Sequence, residues 1–247
     1  MKDVENHPSY ANYGQFWKVK LLILLSTLIS SMSALSQEKP VLIYVGDPMC
    51  SWCYGFAPEI AKVTDELKDE CDVQLVMGGL RPYNTETMAD LGAFLGEHWD
   101  EVAKRSSVEF NHKILSDQSF VYDTEPPARA VVVIRSMDAE LEFEFFKSIQ
   151  LAFYRDNKNT NDVNTYLDIL PVGIDKEAFK GLFESPAMKE AVKADYALAS
   201  SLGVRGFPAT LLKVNGQLYQ TSNGYATADE LINRIEAILK KSPSEVK

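Results

Sequence analysis

The segment Asp47-Pro48-Met49-Cys50-Ser51-Trp52-Cys53-Tyr54-Gly55-Phe56 places two cysteines two residues apart, between a strand-like run and a helix-like run. Before it, Pro40-Val41-Leu42-Ile43-Tyr44-Val45 is short, apolar and rich in β-branched and aromatic residues, the make-up of a buried strand. After it, Phe56, Ile60, Val63 and Leu67 recur at helical spacing, so a helix packs one face inward. The cysteines therefore fall at a helix start. Unpaired backbone N–H groups and the positive end of the helix dipole favour an anion there, which points to the thiolate of Cys50. Cys53, one turn on, lies behind it and is better shielded. One attacking and one resolving sulfur are what exchange through a mixed disulfide requires.

Other uses of the pair need residues that are hard to find. A zinc site requires two more ligands, yet the third cysteine, Cys71, stands alone and His98 and His112 lack ligand spacing, so no metal is assigned. A purely structural disulfide would close so short a loop that it stabilises little and leaves the helix start unexplained. A cysteine–histidine hydrolase wants a histidine, and none lies in the segment. For Cys71 itself the expectation is a buried small apolar residue, with an added redox role as the alternative.

The chain has 247 residues and a net charge of -10, from 25 basic and 35 acidic residues with no basic run. Nucleic acid and anionic membrane surfaces are poor partners for such a surface. Lys18 and Lys20 precede Leu21-Leu22-Ile23-Leu24-Leu25, and the apolar stretch ends at Ala34-Leu35-Ser36. Residues 1–36 therefore read as a secretory signal cleaved near Ser36, with an uncleaved membrane anchor as the alternative. Removing them takes three lysines and two acidic residues, leaving a net charge of -11. The polar segment before Lys18 is long for a signal, so the start codon is expected further in. An exported protein with few cysteines fits an oxidising compartment in which one redox pair is functional.

Along the remaining chain, Asp72 to Met77 is a second strand ended by Gly78-Gly79. From Leu80 to about Gly203 only helix signals follow. They include a proline-led start at Thr124-Glu125-Pro126-Pro127 and an N-cap at Ser185-Pro186. The aromatic and Met stripes of these helices are core-forming, unless a groove between helices and strands turns them into substrate contacts. Strands return at Gly206 to Val214, then an Asn215-Gly216 hairpin turn and Gln217 to Gln220. Thr227-Ala228-Asp229-Glu230 is a capping box for a last helix. The division is 37–79 and 185–247 for the two parts of an α/β domain, with 80–184 as a helical insertion.

The strand before Cys50, the Cys50-Ser51-Trp52-Cys53-Tyr54-Gly55-Phe56 run, Pro58 in the following helix and Gly203-Val204-Arg205-Gly206-Phe207-Pro208 before the hairpin together resemble the thioredoxin superfamily. Within it they are most similar to the DsbA-like branch with a helical insertion, and Ser-Trp after Asp-Pro resembles the FrnE-like group of predicted disulfide isomerases. The resemblance implies an α/β thioredoxin fold with an inserted all-helical domain. It also implies a cis Phe207–Pro208 bond facing the cysteines, with Phe207 and Pro208 offering backbone to a substrate strand beside Cys50. Trp52 is then expected to shape the site, and Ser51 to tune the thiolate through hydrogen bonding. Cys50 and Cys53 carry the chemistry and no dissociable cofactor is needed. The expected protein is an exported, monomeric protein-disulfide oxidase or isomerase. Its substrates are cysteine-containing exported proteins, and a membrane or thioredoxin-like partner recharges it. The alternatives are a non-catalytic DsbA-like adaptor and a glutathione-using isomerase of the kappa-transferase type.

Overall fold

The computed structural model describes residues 38–241; the expected signal segment, residues 1–36, and the last six residues lie outside that span. Strand β1 (Val41–Gly46) leads through helix α1 (Ser51–Glu66) to β2 (Asp72–Met77), which pairs with β1 in parallel. Helices α2 (Met88–Ser106), α3 (Glu125–Met137), α4 (Glu142–Tyr154), α5 (Val163–Asp168), α6 (Lys176–Glu184) and α7 (Pro186–Ser201) follow, with two short 3₁₀ turns. Strands β3 (Ala209–Val214) and β4 (Gln217–Asn223) then join antiparallel, giving the sheet order β2-β1-β3-β4, and α8 (Ala228–Lys241) ends the fold.

Side-chain alternation along β1 sets the two faces of the sheet. Leu42 and Tyr44 enter the main apolar cluster with Phe56, Ile60 and Val63 of α1 and Leu231 and Ile235 of α8. Ile43 and Val45 enter another, with Ala199 of α7, Val204 and Leu211. The hairpin signal at Asn215-Gly216 is realised with both residues at positive φ, the geometry of the two-residue turn whose twist matches its strands. Strand β4 runs three residues beyond the sequence reading because Thr210, Thr221 and Ser222 pair their hydroxyls between β3 and β4 across a bulge.

Much of the helical region between β2 and β3 shares the core of the sheet. Residues 128, 130–134, 145, 146, 149, 179 and 183 belong to the same cluster as Leu42, Tyr44 and Leu75 of the sheet. A partly buried ionic network ties them down: Arg135 of α3 bonds Glu142 of α4 at 2.6 Å and Asp195 of α7 at 2.8 Å, while Asp195 accepts the Met77 N–H at 2.9 Å. The described residues from Lys39 onward thus form one compact unit. A separate cluster joins α2 and the end of α4 to Met49 and Tyr54, directly beneath the cysteine pair. Among the described residues no helix is long and apolar enough to cross a membrane.

Candidate active site

Gly46 ends β1, and the chain turns through Asp47 to Met49 before helix α1. The Cys50 N–H bonds to the Asp47 carbonyl at 3.1 Å. Cys50 is the N-cap residue with extended backbone, and its carbonyl accepts the Tyr54 N–H at 3.0 Å, closing the first helical turn. The Cys50 side chain makes no capping hydrogen bond to the first-turn N–H groups, so what the helix start offers the sulfur is the positive end of its dipole.

Both cysteines are free thiols. Cys50 is 5% exposed and Cys53 fully buried, so any partner reaches the pair through Cys50. Burial, and the Cys50 sulfur beside it, push the Cys53 thiol well above its ordinary pKa. The buried Tyr44 hydroxyl of β1 makes no hydrogen bond among the described residues; as a polar neighbour of Cys53 it opposes part of that upward shift.

The Phe207–Pro208 bond is cis, as the resemblance implied. The Cys50 thiol donates to the Phe207 carbonyl over 3.7 Å, which brings residues 157 positions apart in sequence to one spot. The Gly78-Gly79 pair explains how: an added Cβ on Gly78 would stand 2.1 Å from the Phe207 ring. Only a residue without a side chain lets Phe207 pack that closely. Pro208 is buried, and Trp52 is half-buried with its ring 6.0 Å from Tyr225 and 6.0 Å from His98. Ser51 is buried, but among the described residues its hydroxyl makes no hydrogen bond, so the expected contact with the Cys50 sulfur is absent; that sulfur meets the Phe207 carbonyl instead. Cys71 is buried in the main cluster at the start of β2, opposite the end of β1 from which the active segment departs. Among the described residues no group of three His, Cys, Asp or Glu side chains is placed to hold a metal ion.

Several positioning residues escaped the sequence reading. The Met49 carbonyl, one residue before Cys50, accepts the hydroxyls of Tyr122 and of Tyr154, the latter at 2.6 Å. Thr160 donates to the Met49 sulfur at 3.3 Å. The buried Asp47 carboxylate accepts the N–H of Met49 at 2.9 Å and that of Leu80 at 2.8 Å. Asp47 was the readable one, because aspartate before a turn commonly bonds the N–H two residues on. Nothing in the local pattern marks Tyr122, Tyr154 or Thr160, which come from distant parts of the helical region.

Burial raises the Asp47 carboxyl from 3.8 to about 6, and the two backbone N–H bonds only partly oppose it. A folded state that holds this proton more tightly than the unfolded chain gains stability below about pH 4 and loses that gain as pH rises through about 6. The amplitude has an upper limit of about 3 kcal/mol at 1.36 kcal/mol per unit. Melting curves from pH 4.5 to 7.5 should show the wild-type chain losing stability relative to Asp47→Asn as pH rises. Parallel curves for the two proteins would remove Asp47 as the source.

Against known proteins, the DSBA-like thioredoxin domain matches residues 41–236. No curated protein matches the chain. A protein from Nitrosomonas europaea provisionally designated a protein disulfide isomerase is 31% identical with a TM-score of 0.77, covering 83% of this chain and 99% of its own. The cytosolic disulfide reductase DsbM from Pseudomonas aeruginosa is 26% identical with a TM-score of 0.68, covering 81% and 99% respectively, and has also been solved with GSH. The cysteine pair at the helix start, the cis proline facing it and the helices inserted between β2 and β3 agree with these matches: the chain belongs to the DsbA-like thioredoxin-domain family.

Proposed function

We propose that this chain is an exported thiol–disulfide oxidoreductase, an oxidase or isomerase, acting on cysteine-containing proteins through Cys50 and Cys53. The observation that carries the reading is the Cys50 sulfur at the start of α1, 3.7 Å from the Phe207 carbonyl, with the buried Cys53 thiol beside it. Acting on a substrate disulfide, the Cys50 thiolate attacks one sulfur, forms a mixed disulfide and expels the other substrate sulfur, which takes up a proton. Cys53 then loses its proton and attacks the Cys50 sulfur, releasing the second substrate thiol. The substrate gains two electrons and two protons, and the pair becomes a disulfide. Run in reverse, the same steps oxidise a substrate dithiol.

The geometry supplies a reason for the order of events. While Cys50 is a thiolate, its sulfur is among the groups that hold the Cys53 proton in place. Once Cys50 is bonded to substrate that charge is gone, and one of the causes that hold the Cys53 proton is removed. Resolution is thereby favoured only after capture.

Export rests on the basic and apolar pattern of residues 18–36, and a thioredoxin-like or membrane partner would recharge the exported pair. A second reading, a cytosolic reductase working with glutathione, is favoured by the similarity to DsbM. Sequencing the N-terminus of the protein from fractionated host cells separates them: a start near Ser36 supports export with cleavage, an uncleaved N-terminus in the membrane fraction supports the anchor, and an uncleaved N-terminus in the cytosolic fraction supports the cytosolic reading.

The chemistry itself is tested with Cys53→Ala in the full chain. This variant should accumulate reductant-sensitive adducts through Cys50, because the residue that resolves them is gone. Failure of any such adduct to appear, with the variant folded, would overturn the exchange reading and favour a binding protein.

A further inference from the structure

Helix α2 enters the active site through Gly55, two residues after Cys53. A Cβ on Gly55 would meet Val102 Cγ1 at 2.7 Å and Ser106 Oγ at 2.9 Å, so the last turn of α2 lies directly on the first turn of α1. That approach carries Lys104 and Arg105 to the reacting sulfur's side of the molecule. They line one cleft of about 640 Å³ together with Trp52, Phe207, Gly224, Tyr225 and Glu101. The Arg105 guanidinium lies 5.4 Å from the Tyr225 ring centroid, and the Tyr225 ring is 6.0 Å from that of Trp52.

Cations in a last helical turn are favoured by the helix dipole wherever that turn happens to be. The dipole does not require them to line the cleft that holds Trp52 and Phe207. Among the described residues neither Lys104 nor Arg105 forms an ion pair within 4 Å. Glu101, the acid in the lining, lies 4.0 Å from His98 instead. Glu230, on α8, also feels Arg105 from outside the lining. On a chain of net charge -10, two cations without an ion pair among the described residues, against one lining acid, make the cleft a local exception.

We propose that Lys104 and Arg105 select polypeptide substrates that carry an acidic residue close to the reacting cysteine. Its carboxylate would lie against the last turn of α2 while the cysteine sulfur meets Cys50 and the flanking backbone follows Phe207. The inference rests on the exchange reading and names the substrate class of that same site. A cleft of this size, opening beside the Phe207 backbone, accommodates several residues of extended chain, which is why a polypeptide is chosen over a small acid.

The test is single-turnover reduction, by the dithiol form of the full chain, of two peptide disulfides that differ only in aspartates or lysines beside the cysteine. The enzyme gives up two electrons and ends as the Cys50–Cys53 disulfide. The acidic peptide should react about tenfold faster at low salt, and the difference should shrink to about twofold in 0.5 M salt as screening takes hold. Charge reversal in K104E/R105E should invert the preference, and the conservative K104R/R105K should keep it, with thermal melts showing that both variants fold. Fast and equal rates on the two peptides would overturn the selection and leave exchange standing. Reaction with neither peptide would overturn both. If charge reversal slowed only glutathione disulfide, the carboxylate recognised would be that of a small molecule and the polypeptide proposal would fall.

Discussion

Cys50→Ser is expected to lower the second-order rate of disulfide exchange by at least about a thousandfold, the largest single-residue effect in this protein. The argument is chemical. A thiol near neutral pH is partly ionised and intrinsically nucleophilic, whereas a serine hydroxyl has neither property without a neighbouring base. No histidine lies within the Asp47–Phe56 segment to act as one, and the His98 ring packs edge-on against Trp52, 6.0 Å between centroids. The change replaces one atom at a site that is 5% exposed, so the fold should survive it. Cys71→Ser supplies the contrast: that thiol sits at the far end of β2, burial holds it at about 11, and its loss should leave the exchange rate as it was. Measuring both variants against a peptide disulfide decides the matter. A Cys50→Ser protein that keeps a tenth of the wild-type rate would remove Cys50 as the attacking group.

The largest effect on stability is expected from Arg129→Met. Arg129 of α3 bonds both oxygens of Glu125, at 2.8 and 3.0 Å, donates to the Phe183 carbonyl of α6, and lies 4.0 Å over the Phe183 ring. Both ionic side chains are nearly enclosed, at 10% and 5% exposure. Removing the cation strands a buried carboxylate, which costs about 3–5 kcal/mol, whereas an intact buried pair contributes little net stability because both charges were desolvated to form it. For a domain of this size each kcal/mol moves the melting temperature by roughly 2–4 °C, so a fall on the order of 10 °C is expected. The double variant E125Q/R129M should recover a large part of that loss, since no charge is then left without a partner. Circular-dichroism melts of the two variants check this. A single variant that melts within about 2 °C of wild type would show that Glu125 finds another partner or protonates.

The two predictions rest on parts of the protein that differ in how readable they were. The helix start at Cys50 follows from a strand-like run, two cysteines and an apolar face at helical spacing, all within residues 40 to 67. The hairpin at Asn215-Gly216 and the Thr227–Glu230 capping box are likewise short-range, because turns and helix ends are decided by the conformational preferences of a few adjacent residues. The Arg129–Glu125 contact joins residues four apart on one helix, but its burial under Phe183 comes from the packing of α6 and is invisible at that spacing. Ser51 was expected to tune the thiolate through hydrogen bonding; its hydroxyl makes none among the described residues, and the Cys50 thiol instead donates to the carbonyl of a residue 157 positions away.

By itself, then, the amino-acid order determined the strand–helix unit that carries the cysteines and the helical character of what lies between, since each is a local preference written over a few turns, whereas the proline loop facing the cysteines was implied only by the family resemblance. Tertiary packing alone decided that Tyr122, Tyr154 and Thr160 hold Met49, that Asp47 is buried with a carboxyl raised to about 6, and that Lys104 and Arg105 reach the cleft. The physical reason is the same in each case: a hydrogen bond or a desolvated charge depends on which distant segments exclude water from it, and that exclusion exists only once the chain has closed on itself.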